Sequence, residues 1–164
     1  MQAADQSPLC WNRAVTAPRL DGIFGVKLPV RDLAVSRAWY ERLFDLRLRA
    51  EFPDHDGVVR GVAYEIAGVS DVGLALRERP DIAGLSGFDP VIFAVADNAA
   101  VDAWSRQLTE LAIPHDVFPG TLGMVVAFHD PDGLKIRLYS QERHGLNMSG
   151  KAGYGRLVTQ PPAD

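Results

Sequence analysis

The chain has 164 residues, of which 47% are hydrophobic and 23% charged, proportions suited to a globular domain that buries a core. A formal net charge of −4 without any lysine–arginine run argues against a nucleic-acid partner, and no apolar stretch approaches the roughly 20 residues that cross a bilayer. A single cysteine, Cys10, cannot close an intrachain disulfide, and the opening residues lack the basic and apolar regions of a secretory signal, so the expected compartment is cytoplasmic.

Residues 1–20 show no clear period, contain Pro8 and Pro18, and read as an N-terminal arm. Ile23–Val30 alternates as a strand, with Val26, Leu28 and Val30 on one face. Asp32 is placed to cap a helix whose apolar stripe is Leu33, Ser36, Tyr40, Leu43 and Phe44. Strands follow near Arg47–Phe52, Val58–Ile66 and Val72–Arg77, separated by turn-forming segments at 53–57 and 67–71. Residues 79–89, with a proline and two glycines, form a linker. A second strand at Val91–Val95, a cap at Asp97 and a helix at Ala99–Ala112 come next. Strands at Pro114–Phe118, Gly123–His129 and Leu134–Tyr139 close the pattern, the last two joined by the turn Asp130-Pro131-Asp132-Gly133. Residues 141–164 are polar and glycine-rich and read as a C-terminal tail.

The chain repeats itself. Residues 25–43 shifted forward by 65 fall on residues 90–108, matching Val26 with Val91, Val30 with Val95, Asp32 with Asp97, Trp39 with Trp104 and Leu43 with Leu108. Two copies of one strand–helix–three-strand unit imply a pseudo-symmetric domain whose halves can face each other across a cleft.

LPVRDLAVSRAWYERLF and FHDPDGLKIRLYS, at repeat spacing, resemble the opening strand–helix and closing hairpin of the vicinal oxygen chelate superfamily, which includes glyoxalase I, bleomycin-resistance proteins and extradiol dioxygenases. The resemblance implies an α+β fold of two tandem βαβββ modules, 21–78 and 88–140 within a single domain 21–140, whose curved sheets form a cup. Enzymes of that superfamily hold a divalent metal through four strands, and the resemblance carries those positions onto Gly25, Ala75, Pro90 and Arg137. None is a metal donor, so no metal and no cofactor is expected.

Strand alternation supplies the rest. The face opposite the helices should hold Gly25, Lys27 and Pro29; Gly73, Ala75 and Arg77; Pro90, Ile92 and Ala94; and Lys135, Arg137 and Tyr139, a basic and apolar set without acid or histidine. Glu65, His129 and His55 are the remaining candidates for a metal, and read better as surface or turn residues. His115 and His144 read as solvated. Trp39 and Trp104 read as helix-on-sheet packing, whereas Trp11 in the arm could cover the cup. The expected ligand contacts are Arg137, Lys27, Arg77, Tyr139, Ile92 and Trp11. The expected function is metal-independent binding, with sequestration of an aromatic or amphipathic compound as in drug resistance. One alternative is a metal-independent lyase or isomerase-like enzyme using Tyr139, Glu65 or His129; another is a sensor or interaction module. The resemblance also implies a homodimer.

Overall fold

The structure is a computed structural model that describes residues 23–70, 72–148, 151–152 and 154. Trp11 and Cys10 lie outside them. The elements run β1 (Gly25–Val30), α1 (Leu33–Leu43), β2 (Leu46–Pro53), β3 (Val59–Ile66), β4 (Gly73–Glu78), β5 (Val91–Val95), α2 (Asn98–Glu110), β6 (His115–Pro119), β7 (Gly123–His129) and β8 (Lys135–Arg143). This is the α+β pattern of two βαβββ modules. Strand β8 continues three residues beyond position 140, where the tail was expected to begin. Among the described residues no helix is long and apolar enough to cross a membrane.

Each module folds into a mixed four-stranded sheet, ordered β1-β4-β3-β2 and β5-β8-β7-β6. In each, the opening strand pairs parallel with the closing strand, and a helix makes the crossover. The repeat reaches into the caps. Asp32 accepts from the Val35 N–H at 3.0 Å, and Asp97 from the Ala100 N–H at 2.8 Å. A glutamate of each closing strand then reaches the first N–H of its helix: Glu78 to Leu33 at 3.0 Å and Glu142 to Asn98 at 2.9 Å. Four free N–H groups at a helix start need such acceptors, and negative charge there also suits the helix dipole.

The two sheets share one interior. Leu28, Val30, Val62, Tyr64, Leu74 and Leu76 of the first sheet and Val126, Phe128, Ile136 and Leu138 of the second belong to a single buried cluster with residues of both helices. Phe44, just past α1, lies 5.6 Å from the rings of both Phe93 and Trp104, and Trp39 lies 6.2 Å from that of Phe128. The helices are therefore held between the sheets, and both sheets turn their other faces outward. Within one chain the halves meet through a core and not across a cleft, because alternation sends most large apolar strand residues to the helix side, with Phe52, Ile92 and Val125 on the outer faces.

A buried polar knot fastens the modules. The Tyr40 hydroxyl donates to Asp130 at 2.9 Å, and Asp130 also accepts from the N–H groups of Asp132 and Leu134. Asp132 accepts from the Arg31 N–H at 3.0 Å and, more weakly, from the Ser36 hydroxyl at 3.5 Å. Gly133, at φ +83°, lets the chain make this turn against Ser86, where a side chain would crowd. Burial raises the pKa of Asp130, and hydrogen bonds from Leu134 and Tyr40 offset part of that rise. The native state thus holds this proton more tightly than the unfolded chain. Stability from Asp130 is present below the unfolded pKa and is lost as pH rises through the folded one.

Tyr40→Phe should cost about 1–3 kcal/mol at neutral pH, because it leaves a buried carboxylate oxygen without its donor. The hydrogen bond favours the ionised form, so the cost should shrink when Asp130 is protonated. Urea denaturation of both proteins at neutral and strongly acidic pH measures this; an equal cost at both would show that the Tyr40 bond does not depend on Asp130 ionisation.

Candidate functional site

The outer face of the first sheet is organised in rows by register. Lys27 pairs with Ala75, Ala75 with Ala63 and Ala63 with Ala50; Pro29 pairs with Arg77, Arg77 with Gly61 and Gly61 with Phe52; Gly25 pairs with Gly73, Gly73 with Glu65 and Glu65 with Arg47. Ala75 and Ala63 in the middle of the first row, with Gly73 beside them, leave part of the sheet without large side chains. Over them lies a hollow of about 510 Å³ bounded by Phe24, Lys27, Phe52 and Arg77, and beside it a second of about 770 Å³ reaches Arg47, Arg49 and Val69. Phe24 is 97% exposed and Phe52 49%, so two phenyl rings stand on this face with none of the described residues burying them.

The charges of this face are mostly paired. Asp54, from the loop after β2, binds the Arg77 guanidinium and also Arg60. Those bonds, led by the one from Arg77, hold the Asp54 carboxyl below its usual pKa. The Arg77 stem lies across Gly61, where a β-carbon would sit 3.3 Å away. Glu65 is clasped by Arg47 and Arg49. Lys27 differs: it lines the hollow from an exposed position, and no hydrogen-bond or ion-pair partner among the described residues reaches its ammonium.

On the second sheet Arg137 lies beside Ile92 on one side and Ala127 on the other. Its guanidinium meets the Asp89 carboxylate at 2.8 Å, with 32% and 24% of the two side chains exposed. One oxygen of Asp89 and the Nε of Arg137 stay buried without a partner, so the pair is single-pronged. Tyr139 lies on the same face and accepts from the Leu122 N–H at 3.0 Å; Gly120 beside it leaves room for the hydroxyl, which any side chain there would strike. Ile92 is 54% exposed. Among the predicted contacts, Lys27 and Arg77 thus share one face, and Arg137, Tyr139 and Ile92 share the other.

Several expectations need correction. The outer faces are not free of acids: Glu65 lies on the first, and Asp54 and Asp89 reach in from loops, which strand alternation does not describe. His115 and His144 are not simply solvated. His115 bonds the Ser105 hydroxyl at 2.8 Å and the Ile113 carbonyl at 2.9 Å, pinning β6 to α2. His144 bonds the Gly120 carbonyl at 2.9 Å and accepts from the Leu146 N–H. Phe24 and Phe52 were not anticipated; the only sequence signal was their place at strand ends, next to turn residues. Trp39 and Trp104 pack in the core as expected.

The superfamily's metal positions do not fit a metal here. Glycine, alanine and proline offer no side-chain donor, and Arg137 is a cation already engaged by Asp89. Among the described residues no group of three or more histidine, cysteine, aspartate or glutamate residues is placed to hold an ion.

A family model described as the Glyoxalase/Bleomycin resistance protein/Dioxygenase superfamily matches residues 22–138. Among solved structures, TnmS3, an antibiotic binding protein from Streptomyces sp. CB03234, is 23% identical, with a TM-score of 0.62 over 76% of this chain and 98% of that one. Lactoylglutathione lyase from Agrobacterium tumefaciens is 22% identical, with a TM-score of 0.61 over 79% and 100%. The fosfomycin resistance protein FosX from Listeria monocytogenes is 17% identical, with a TM-score of 0.60 over 74% and 92%. At these identities the likeness is one of fold. No curated protein matches.

The Arg137–Asp89 pair should couple weakly, because both partners retain contact with water. A double-mutant cycle of Arg137→Ala and Asp89→Ala, read by chemical denaturation, should return about 0.2–1 kcal/mol. A coupling near zero would mean that the guanidinium is held by packing alone.

Proposed function

The chain belongs to the Glyoxalase/Bleomycin resistance protein/Dioxygenase superfamily, and we propose that this member is a metal-independent binding protein that takes up an aromatic or amphipathic small molecule on the outer faces of its sheets. The observation that carries the reading is the hollow of about 510 Å³ on the first sheet, within the size range of small-molecule sites and lined by apolar surface with a few cationic groups. Sequestration in the manner of drug resistance needs only stoichiometric binding, and TnmS3, described as an antibiotic binding protein, has this fold. Two of the three groups that a lyase or isomerase reading would use as acid or base are engaged, Glu65 by two arginines and the Tyr139 hydroxyl by Leu122, while His129 is exposed without a side-chain partner among the described residues. That favours binding over turnover.

The site is completed by a second copy. The outer faces of one chain point away from each other, and each carries exposed apolar surface, with Phe24 and Ile92 more than half exposed. Large exposed apolar surface of this kind marks a place of association. In a two-fold dimer the first sheet of one copy would face the second sheet of the other. Lys27 and Arg77 would then share a cup with Arg137, Tyr139 and Ile92 of the other copy. The compartment we assign is the cytoplasm, on the cysteine content.

Calorimetric titration with planar aromatic compounds should show saturable heat that is unchanged by a strong chelator, and elemental analysis of dialysed protein should find no stoichiometric zinc, iron, manganese or nickel. Binding that vanishes with chelator would overturn the metal-independent reading. Light scattering at micromolar concentration should report twice the chain mass; a monomer would leave the two faces as separate half-sites.

A further inference from the structure

We infer that the first-sheet hollow selects planar aromatic compounds carrying one negative charge, with Lys27 as the residue that reads the charge and Phe24 and Phe52 as the rings that hold the plane. This rests on the small-molecule reading above and specifies its ligand. The hollow of about 510 Å³ has two cations and no acid in its lining. Arg77 is already neutralised by Asp54 from outside that lining. Lys27 is left as the one cation of the hollow without a counter-charge among the described residues. A ligand that covers an unpaired ammonium without offering it an acceptor removes its water and gives nothing back. A neutral or cationic ligand is therefore disfavoured, and an anionic one gains a charge-assisted hydrogen bond.

The shape of the hollow sets the rest. Gly25, Gly73, Ala63 and Ala75 form a floor without large side chains. Phe24 and Phe52 line the hollow with their rings exposed, at 97% and 49%. A flat ring system can lie on that floor and meet both phenyl groups. Lysine is a compact point charge with rotatable donors, and unlike arginine it does not demand a planar two-oxygen partner. Carboxylate, sulfonate and phenolate are thus equally acceptable, and the class is defined by ring and charge.

Two fluorescent probes with the same ring system separate these terms: anilinonaphthalene sulfonate, which is anionic, and N-phenyl-naphthylamine, which lacks the sulfonate. The native protein should bind the sulfonate more tightly, by roughly 10- to 100-fold. Lys27→Met keeps an unbranched side chain of similar length without the ammonium, and should abolish that preference by weakening the sulfonate and tightening N-phenyl-naphthylamine, with the melting temperature unchanged. Phe52→Ala should weaken both probes. Equal affinity of the native protein for the two probes, or a preference that persists in a folded Lys27→Met protein, would overturn the inference while the small-molecule reading stands on the neutral probe. Absence of saturable binding for both would overturn the two together.

Discussion

Helix α1 lies between two sheets, and its double contact governs what the rest of the molecule presents to solvent. Leu33, Ser36, Tyr40 and Leu43 are buried, while Trp39, Tyr40 and Phe44 extend the packing to Phe128, Asp130, Phe93 and Trp104 of the other module. A helix on one sheet needs a single apolar stripe. This one carries aromatic rings beyond the stripe, and ring pairs add about 0.5–1.5 kcal/mol each beyond the area they bury. The Tyr40–Asp130 bond orients the contact, since a buried hydroxyl and a buried carboxyl are costly anywhere but opposite each other. Once both sheets are committed to this interior, their other faces keep exposed apolar side chains, Phe24 and Phe52 on the first and Ile92 on the second. The exposure of those side chains follows from where the core lies.

Much of this was legible in the residues. The shift of 65 predicted two equivalent modules, and the equivalence holds to individual hydrogen bonds: Asp32 and Asp97 cap at the same helical position, and Glu78 and Glu142 serve the same N–H. Local rules sufficed there because a cap is set by neighbours in sequence. Alternation also separated the faces correctly, since Leu28, Leu76, Ile136 and Leu138 are buried and Lys27, Arg77, Arg137 and Tyr139 lie opposite them.

What escaped was everything that crosses from a loop to a strand. Asp54 and Asp89 lie outside the alternating pattern, so their neutralisation of Arg77 and Arg137 could not be counted. The partners of His115 and His144 are likewise set by how β6 and the β6–β7 turn settle, and not by local sequence. The direction in which the two sheets turn was hidden for a related reason. A repeat establishes that two units are alike, but whether they meet by their helix sides or their open sides depends on the aromatic residues of one helix.

The two modules have diverged at equivalent places, and the divergence decides where charge is available. Under the shift of 65, Phe24 corresponds to Asp89 and Lys27 to Ile92. In the first module a cation on the edge strand, Lys27, is registered with an apolar neighbour on the inner strand, Ala75; in the second the order is reversed, with Ile92 on the edge and Arg137 within. Each row thus keeps one cation and one apolar residue. The acid accompanies only the second: Asp89 stands beside Arg137, and the equivalent place in the first module is taken by an exposed phenyl ring. An arginine paired at 2.8 Å with a carboxylate has little charge left to offer a ligand. Lys27 has no acid paired with it among the described residues. Arg137, which stands where related enzymes hold a metal ligand, therefore has less uncompensated charge than Lys27, whose position carries no such precedent.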